Sequence, residues 1–114
     1  MKLFRFITIK VKMYALYIKM PTFLEINRSP RKDKKLVFKM DNPKKTIHFG
    51  SKTSQTYVEG ASKEKRLNYI KRHKPRENWN EINAGSLSRY LLWGDSVLIS
   101  ENLKDYLERF KFDF

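Results

Sequence analysis

Residues 35–50, KLVFKMDNPKKTIHFG, contain two short apolar runs separated by a polar turn. The runs KLVFKM and KTIHFG are rich in β-branched and aromatic residues, and the DNPK segment between them carries the turn-forming residues Asp, Asn and Pro. A Pro in this turn excludes the tightest two-residue connection, so a longer turn is expected. The stretch therefore predicts an antiparallel β-hairpin.

The residues that follow the hairpin change to helical periodicity. A helix is predicted within residues 61–74, ASKEKRLNYIKRHK, with Ser62 at its N-terminus and Pro75 ending it. Leu67 and Ile70 are expected to form a thin apolar stripe on this otherwise basic helix.

Two further helices are predicted nearer the C-terminus. In residues 83–94, NAGSLSRYLLWG, Asn83 is the expected cap and Gly94 the expected stop. The inward residues of that helix are predicted to be Leu87, Leu91 and Tyr90. In residues 100–110, SENLKDYLERF, Ser100 is the expected cap, and the i, i+3, i+4, i+7 spacing predicts one buried face. This face consists of Leu103, Tyr106, Leu107 and Phe110.

These elements define the expected fold class. The polar segment 51–62 is interrupted by Gly60, and Tyr57 with Val58 predicts one more short strand there. The chain is thus expected to be α+β, with a small antiparallel sheet (the hairpin plus one or two short strands) followed by three short helices. Because 114 residues suit one compact domain, residues 20–114 are expected to form a single basic domain.

Residues 1–19 allow two interpretations. Ile7, Ile9, Val11 and Met13 alternate with polar residues, which predicts an edge strand of the sheet. Alternatively, the composition changes at Met20, which then marks the true start and makes residues 1–19 an N-terminal extension. The longest uncharged apolar run, residues 13–18, is shorter than the roughly 18 residues of a bilayer span. Contact with a membrane surface is therefore only a minor alternative.

The charge composition predicts an anionic partner. The chain has 25 Lys and Arg against 12 Asp and Glu, a net charge of +13, and folding alone does not require such an excess. The excess lies in residues 1–76, which carry +16, whereas residues 77–114 carry −3. One anion-facing surface and one packing or partner-facing surface are therefore expected. The absence of Cys excludes disulfides, thiolate metal sites and thiol nucleophiles.

Two cationic segments are the candidate nucleic-acid-binding sites. The predicted helix and its end contribute Lys63, Lys65, Arg66, Lys71, Arg72, His73, Lys74 and Arg76. The segment RSPRKDKK, residues 28–35, is predicted to be a loop and contributes Arg31, Lys32, Lys34 and Lys35. Because no base-reading motif accompanies these charges, non-specific contact with the phosphate backbone is expected. A solvated basic surface without a ligand is the alternative.

The sequence does not predict an enzyme. Its acids are scattered, no Gly-rich phosphate loop is present, and we expect no metal site, cofactor or small-molecule substrate. His48 is expected to be a half-buried strand residue bonded to a neighbour, and His73 a solvated residue at a helix end.

Three residues in the C-terminal half allow a structural or a functional interpretation. Trp79 and Trp93 are expected in the core, with stacking on nucleic-acid bases as the alternative. Arg89, in an apolar helix, is expected to form a salt bridge with Glu77 or Glu81.

Four blocks of the sequence carry a family resemblance. They are FG at 49–50, YIKRHKPRENW at 69–79, AGSLSRYLLW at 84–93 and LKDYLERF at 103–110. Together they resemble a small uncharacterised domain encoded by nucleocytoplasmic large DNA viruses, the giant viruses, from about Met20 to Phe110. No catalytic residue is established for that family. The resemblance implies a location in the viral factory of the host cytoplasm or in the virion.

The expected function is that of a small basic viral protein that binds DNA or RNA without sequence preference. The alternative is a minor capsid or virion structural linker that acts through protein-protein contacts, in which the positive surface docks on an acidic viral structural protein.

Overall fold

The computed structural model describes residues 20–114 and shows an α+β fold, as the sequence predicts. One antiparallel sheet contains β1 (Thr22–Arg28), β2 (Lys34–Asp41) and β3 (Lys45–Ser51), with β2 in the centre. Three helices follow the sheet in the chain. The strand predicted at residues 7–13 lies outside the described residues. Within residues 20–114, no helix has the length and apolar character needed to cross a bilayer.

The predicted hairpin is confirmed in β2 and β3. Leu36 lies opposite Phe49, and Phe38 lies opposite Ile47. Phe38, Met40 and Phe49 are buried, and because side chains alternate along a strand, these residues place one face of the hairpin against the core.

Strand β1, which the sequence pattern does not predict, completes the sheet. It pairs antiparallel with β2, so that Phe23 lies opposite Met40 and Ile26 lies opposite Phe38. The register shifts between Phe23 and Glu25, and Leu24 at this irregularity is 54% exposed. Phe23 and Ile26 therefore both pack against the core although they are three residues apart.

The strand predicted at Tyr57 and Val58 is wrong, because Tyr57–Glu59 is a 3₁₀ turn. The carboxylate of Glu59 accepts hydrogen bonds from the backbone N–H of Thr56 at 3.1 Å and from its hydroxyl at 2.8 Å. Gly60 then adopts a φ of 103°, which residues with a side chain rarely adopt. The local hydrogen bonds close a turn here and leave no extended segment to join the sheet.

The three helices are α1 (Lys63–His73), α2 (Ala84–Leu87) and α3 (Ile99–Arg109). A 3₁₀ turn, Lys74–Arg76, follows α1, and a π-helical turn, Ser88–Leu92, continues α2. The predicted caps of the first two helices are confirmed, since the Ser62 hydroxyl accepts from Lys65 N at 3.1 Å and the Asn83 side chain accepts from Ser86 N at 2.8 Å. Ser100 is not a cap. It lies inside α3, where Leu98 holds the N-cap position.

The core lies between the sheet and the helices. Leu87, Leu91 and Trp93 of the second helical segment are buried there, as predicted. Of the face predicted for α3, Tyr106 and Leu107 are buried, and Leu103 and Phe110 pack against the core while partly exposed. Tyr90 is likewise partly buried against it.

A buried amide fixes the turn between α2 and α3. Asn102, which is 1% exposed, donates hydrogen bonds to the carbonyl of Leu91 at 3.0 Å and to that of Ser96 at 2.8 Å. Its oxygen accepts from Ser96 N at 3.0 Å. A Cβ at Gly94 would collide with the Tyr90 carbonyl oxygen and lie 2.6 Å from the Asn102 side-chain carbon, so only glycine fits this turn.

Candidate nucleic-acid interface

Helix α1 carries half of the candidate residues, and its orientation decides which of them can meet a ligand. Tyr69 is 8% exposed and packs in the core, whereas Leu67 is 61% exposed. The predicted apolar stripe of Leu67 and Ile70 is therefore wrong in its first member. Residues two positions apart on a helix, such as Leu67 and Tyr69, point to nearly opposite sides, so the side of Leu67 faces solvent.

Four cations lie on the solvent side of this region, and we call them the outer cations. They are Lys63, Lys71 and Lys74, which share the side of Leu67, and Arg76 in the following 3₁₀ turn. All four are exposed, and none forms an ion pair with any residue in the range 20–114. Their charges are thus accessible to a polyanion.

Arg66 lies on a different side of α1 and contacts the protein interior. Its Nε donates to the carbonyls of Trp93 at 3.2 Å and Gly94 at 2.9 Å, and its Nη2 lies 2.8 Å from Asp95 Oδ1. Only 17% of the side chain is exposed. These bonds satisfy carbonyl groups just after the π-helical turn, so Arg66 ties α1 to that turn and is not presented to a ligand.

His73 was expected to be solvated, but the structure places it in a hydrogen-bonded network. Its Nδ1 lies 2.9 Å from Glu77 Oε2, and 36% of the side chain is exposed. The other oxygen of Glu77 accepts from Trp79 Nε1 at 2.8 Å. A Cβ at Gly85 would lie 2.9 Å from that same oxygen. The blocks RHKPRENW and AGSLSRY therefore meet around one carboxylate.

An aromatic column connects this network to the core. The ring centroids of Trp93 and Tyr69 are 4.4 Å apart with the planes at 8°, and those of Tyr69 and His73 are 4.1 Å apart at 26°. Trp93 is 5% and Tyr69 8% exposed, so the column reaches the surface only at His73. Burial raises the pKa of the Tyr69 phenol above its ordinary value, with a further contribution from the nearby Glu77 carboxylate. The prediction that Trp93 is a core residue is confirmed.

A groove of about 410 Å³ lies between α1, the sheet and the start of α2. Its lining includes the three rings of the column and the carboxylate of Glu77. Its cations are Lys65 and Arg72 from α1 and Lys34 from the start of β2, and we call these the groove cations. Ser51 and Ser54 contribute hydroxyl groups. Lys65 and Arg72 are seven residues apart, so they lie two turns apart on the same side of the helix.

The segment at residues 28–35 is only partly a loop. Residues 29–33 connect β1 to β2, and Lys34 and Lys35 begin β2. Arg31 and Lys32 are exposed, although the Arg31 guanidinium lies 3.5 Å from the carboxylate of Asp33. The Ser29 hydroxyl accepts from Arg31 N at 3.1 Å and is hydrogen-bonded to His48 Nδ1 at 2.7 Å, which confirms the predicted partner bond of that His.

Lys35 is used internally. Its ammonium group lies 3.0 Å from Glu59 Oε1, and only 12% of its side chain is exposed. Although burial favours the neutral form of the Glu59 carboxyl, the hydrogen bonds from Thr56 and Lys35 outweigh it and lower the pKa of Glu59 below its ordinary value. Lys35 therefore joins β2 to the 3₁₀ turn and contributes little to an anion-binding surface.

The salt bridge predicted for Arg89 is wrong. The Arg89 guanidinium donates to the Trp93 carbonyl at 2.9 Å and lies over the rings of Trp79 at 5.3 Å and Tyr90 at 5.0 Å. Burial lowers the pKa of the guanidinium, and its neighbour Arg66 adds to this shift. Glu77 is already bound by His73 and Trp79, so two aromatic faces and a carbonyl take the place of an acid.

The half-buried Trp79 is held by these contacts, with its N–H on Glu77 and its ring under Arg89. Within residues 20–114, no group of three or more His, Asp and Glu side chains is placed to hold a metal ion.

Comparison with known proteins gives one match. Residues 24–73 match a family of unknown function (DUF5754). The match begins within β1 and ends at His73, the last residue of α1, so it includes most of the sheet and the cationic helix but not Glu77. The expectation of an uncharacterised family is confirmed to this extent. No curated protein and no solved structure matches the chain.

Proposed function

We propose that this protein binds nucleic acid, DNA or RNA, through its phosphate backbone and without sequence preference. The observation that carries this proposal is the set of outer cations: Lys63, Lys71, Lys74 and Arg76 are exposed along one side of α1 and the following turn. No carboxylate among residues 20–114 forms an ion pair with them. Such a row of charges binds phosphates and releases condensed counterions.

The chemistry of these side chains supports non-specific binding. Contacts to phosphate position a protein on nucleic acid but do not read its sequence. Arg31 and Lys32 lie in a separate exposed loop and can add further phosphate contacts. The role is thus one of binding rather than catalysis, and it needs no metal, cofactor or small-molecule substrate.

The proposed setting rests on the sequence resemblance to a domain of giant viruses. In that setting the protein is associated with the genome in the viral factory or in the virion.

A second candidate is a structural linker in the virion. It is favoured by Val97 and Leu98, each 55% exposed, beside Ile99, which is 37% exposed at the start of α3. This apolar patch suits contact with another protein, and the positive surface suits an acidic one.

Fluorescence anisotropy with labelled DNA and RNA across a salt series tests the first candidate. The variant Lys71→Gln, Lys74→Gln, Arg76→Gln removes three outer cations. Its control is Lys44→Gln, Lys45→Gln, Lys104→Gln, which removes three exposed cations from other elements.

For duplex DNA, the plot of log affinity against log salt has a negative slope. The outer-cation variant is expected to make this slope shallower by about 1–3, because each phosphate contact contributes about 0.9 to its magnitude. The control variant should keep the parent slope. Absence of binding at low salt, or equal slopes for the two variants, would refute the proposal. In that case, binding to an acidic protein instead would favour the linker role.

A further inference from the structure

The groove between α1 and the sheet is concave and is lined by aromatic rings as well as cations, whereas the outer cations lie on the exposed side of α1. We propose that it binds one nucleotide of a single strand, so that the protein prefers single-stranded over duplex nucleic acid. This inference rests on the proposed nucleic-acid binding and specifies its ligand.

The shape of the groove favours a single strand. Its volume of about 410 Å³ is within the range of pockets that hold small ligands and suits a group of nucleotide size. A duplex keeps its bases paired inside and presents its phosphates on a convex surface. A single strand can turn one nucleotide out of its path and into a recess.

The groove cations supply the phosphate contact. Lys65 and Arg72 project from one side of α1, two turns apart, and Lys34 approaches from β2. No partner in residues 20–114 forms an ion pair with any of them. One carboxylate, that of Glu77, also lines the groove, but both of its oxygens already accept hydrogen bonds, from His73 and Trp79. With three cations against this one carboxylate, the lining of the groove carries a net positive charge.

The aromatic column supplies the base contact. Tyr69 covers one face of the His73 ring, and His73 is the member of the column that is exposed in the groove. A base that stacks on His73 extends the column of Trp93, Tyr69 and His73 by one ring. Stacking of this kind tolerates any base, because every base has a π-face.

The test compares a labelled thymidine oligonucleotide with the duplex it forms with its complement, using the full chain at one salt concentration. Single-strand affinity is expected to exceed duplex affinity roughly ten-fold, since one stacked base contributes a factor of that order. Equal affinity, or tighter duplex binding, overturns the inference and leaves the proposed function standing. Absence of binding to both overturns the two together.

Two matched pairs of variants locate the site. Lys65→Gln, Arg72→Gln should lose most of the preference for single strands. Lys63→Gln, Lys71→Gln removes the same charge from the solvent side of the same helix. It should weaken the binding of single-stranded and duplex nucleic acid to the same extent. His73→Ala should abolish the preference, whereas His73→Phe, which keeps an aromatic ring, should retain it. If the Lys65→Gln, Arg72→Gln variant and folded His73→Ala both keep the preference for single strands, the assignment to this groove is refuted.

Discussion

The change Asn102→Ala tests whether one buried amide holds the α2–α3 turn. The side chain is 1% exposed and makes three hydrogen bonds, two as donor to the carbonyls of Leu91 and Ser96 and one as acceptor from Ser96 N. Alanine removes all three. The Leu91 carbonyl then remains inside the core without this partner, whereas the partly exposed Ser96 can bind water in its place.

The expected magnitude follows from this difference. A buried carbonyl left without a partner costs about 1–3 kcal/mol, and each replaceable hydrogen bond contributes about 0.5–1.5 kcal/mol. Since water compensates part of the second contribution, the free energy of unfolding should fall by about 3 kcal/mol. For a domain of this size that corresponds to a decrease in Tm of about 12–24 °C.

Thermal and urea unfolding followed by circular dichroism measure this loss. Glu101→Ala, at an exposed neighbouring position in the same helix, is the control for changes in helix propensity. Asn102→Asp keeps the volume but replaces the donating amide with a carboxylate that faces two carbonyls, so it should be at least as destabilising. If both Asn102 variants melt within about 2 °C of the control, the hydrogen bonds do not hold the turn.

Two further predictions concern stability. Trp93→Ala should lower the free energy of unfolding by about 3–5 kcal/mol, as expected for a large residue removed from a core. Leu67→Ala, at an exposed position, should change it by less than about 0.5 kcal/mol. Urea unfolding of both variants measures the difference, and a Trp93 variant as stable as the Leu67 variant would contradict the prediction. Because the folded state lowers the pKa of Glu59, the ionised carboxylate stabilises the fold at neutral pH, and this contribution is lost as pH falls through the lowered folded-state pKa. Glu59→Gln should therefore melt below the parent at pH 7 and approach it in acid. A constant difference in Tm between pH 7 and acid would contradict the role of the ionised carboxylate.

The sequence predicted the elements whose local signals are strong. The hairpin was predicted from its apolar runs around the Asp-Asn-Pro turn and the face of α3 from its helical spacing, and both are confirmed. Strand β1 was missed because the register shift beside Leu24 breaks the alternation. Tyr57 and Val58 have strand-like composition, but local bonds between Thr56 and Glu59 decide their conformation.

The candidate interface was predicted from the number of cations, and that number does not show in which direction each cationic side chain points. Arg66, Lys71 and Arg72 are equivalent in a count of cations, yet one contacts buried carbonyls, one faces solvent and one lines a groove. Because Leu67 was chosen for the apolar stripe, the buried face of α1 was predicted on the wrong side of the helix. Choosing Tyr69 as the buried residue would have placed Lys65 and Arg72 on its side and Lys71 on the opposite side.

The contacts of Arg66 and His73 lie in the first and last turns of α1, and they affect the entropy of binding. Arg66 joins the helix to the carbonyls at Trp93 and Gly94, and His73 joins it to Glu77. A cationic segment that folds only on its ligand loses backbone freedom on association, and this loss opposes binding. In this protein the backbone of α1 is ordered before any ligand arrives, so only the lysine and arginine side chains lose freedom. For the nucleic-acid binding proposed above, more of the electrostatic attraction would then be available as affinity, with the spacing of the charges set by the fold instead of by the ligand.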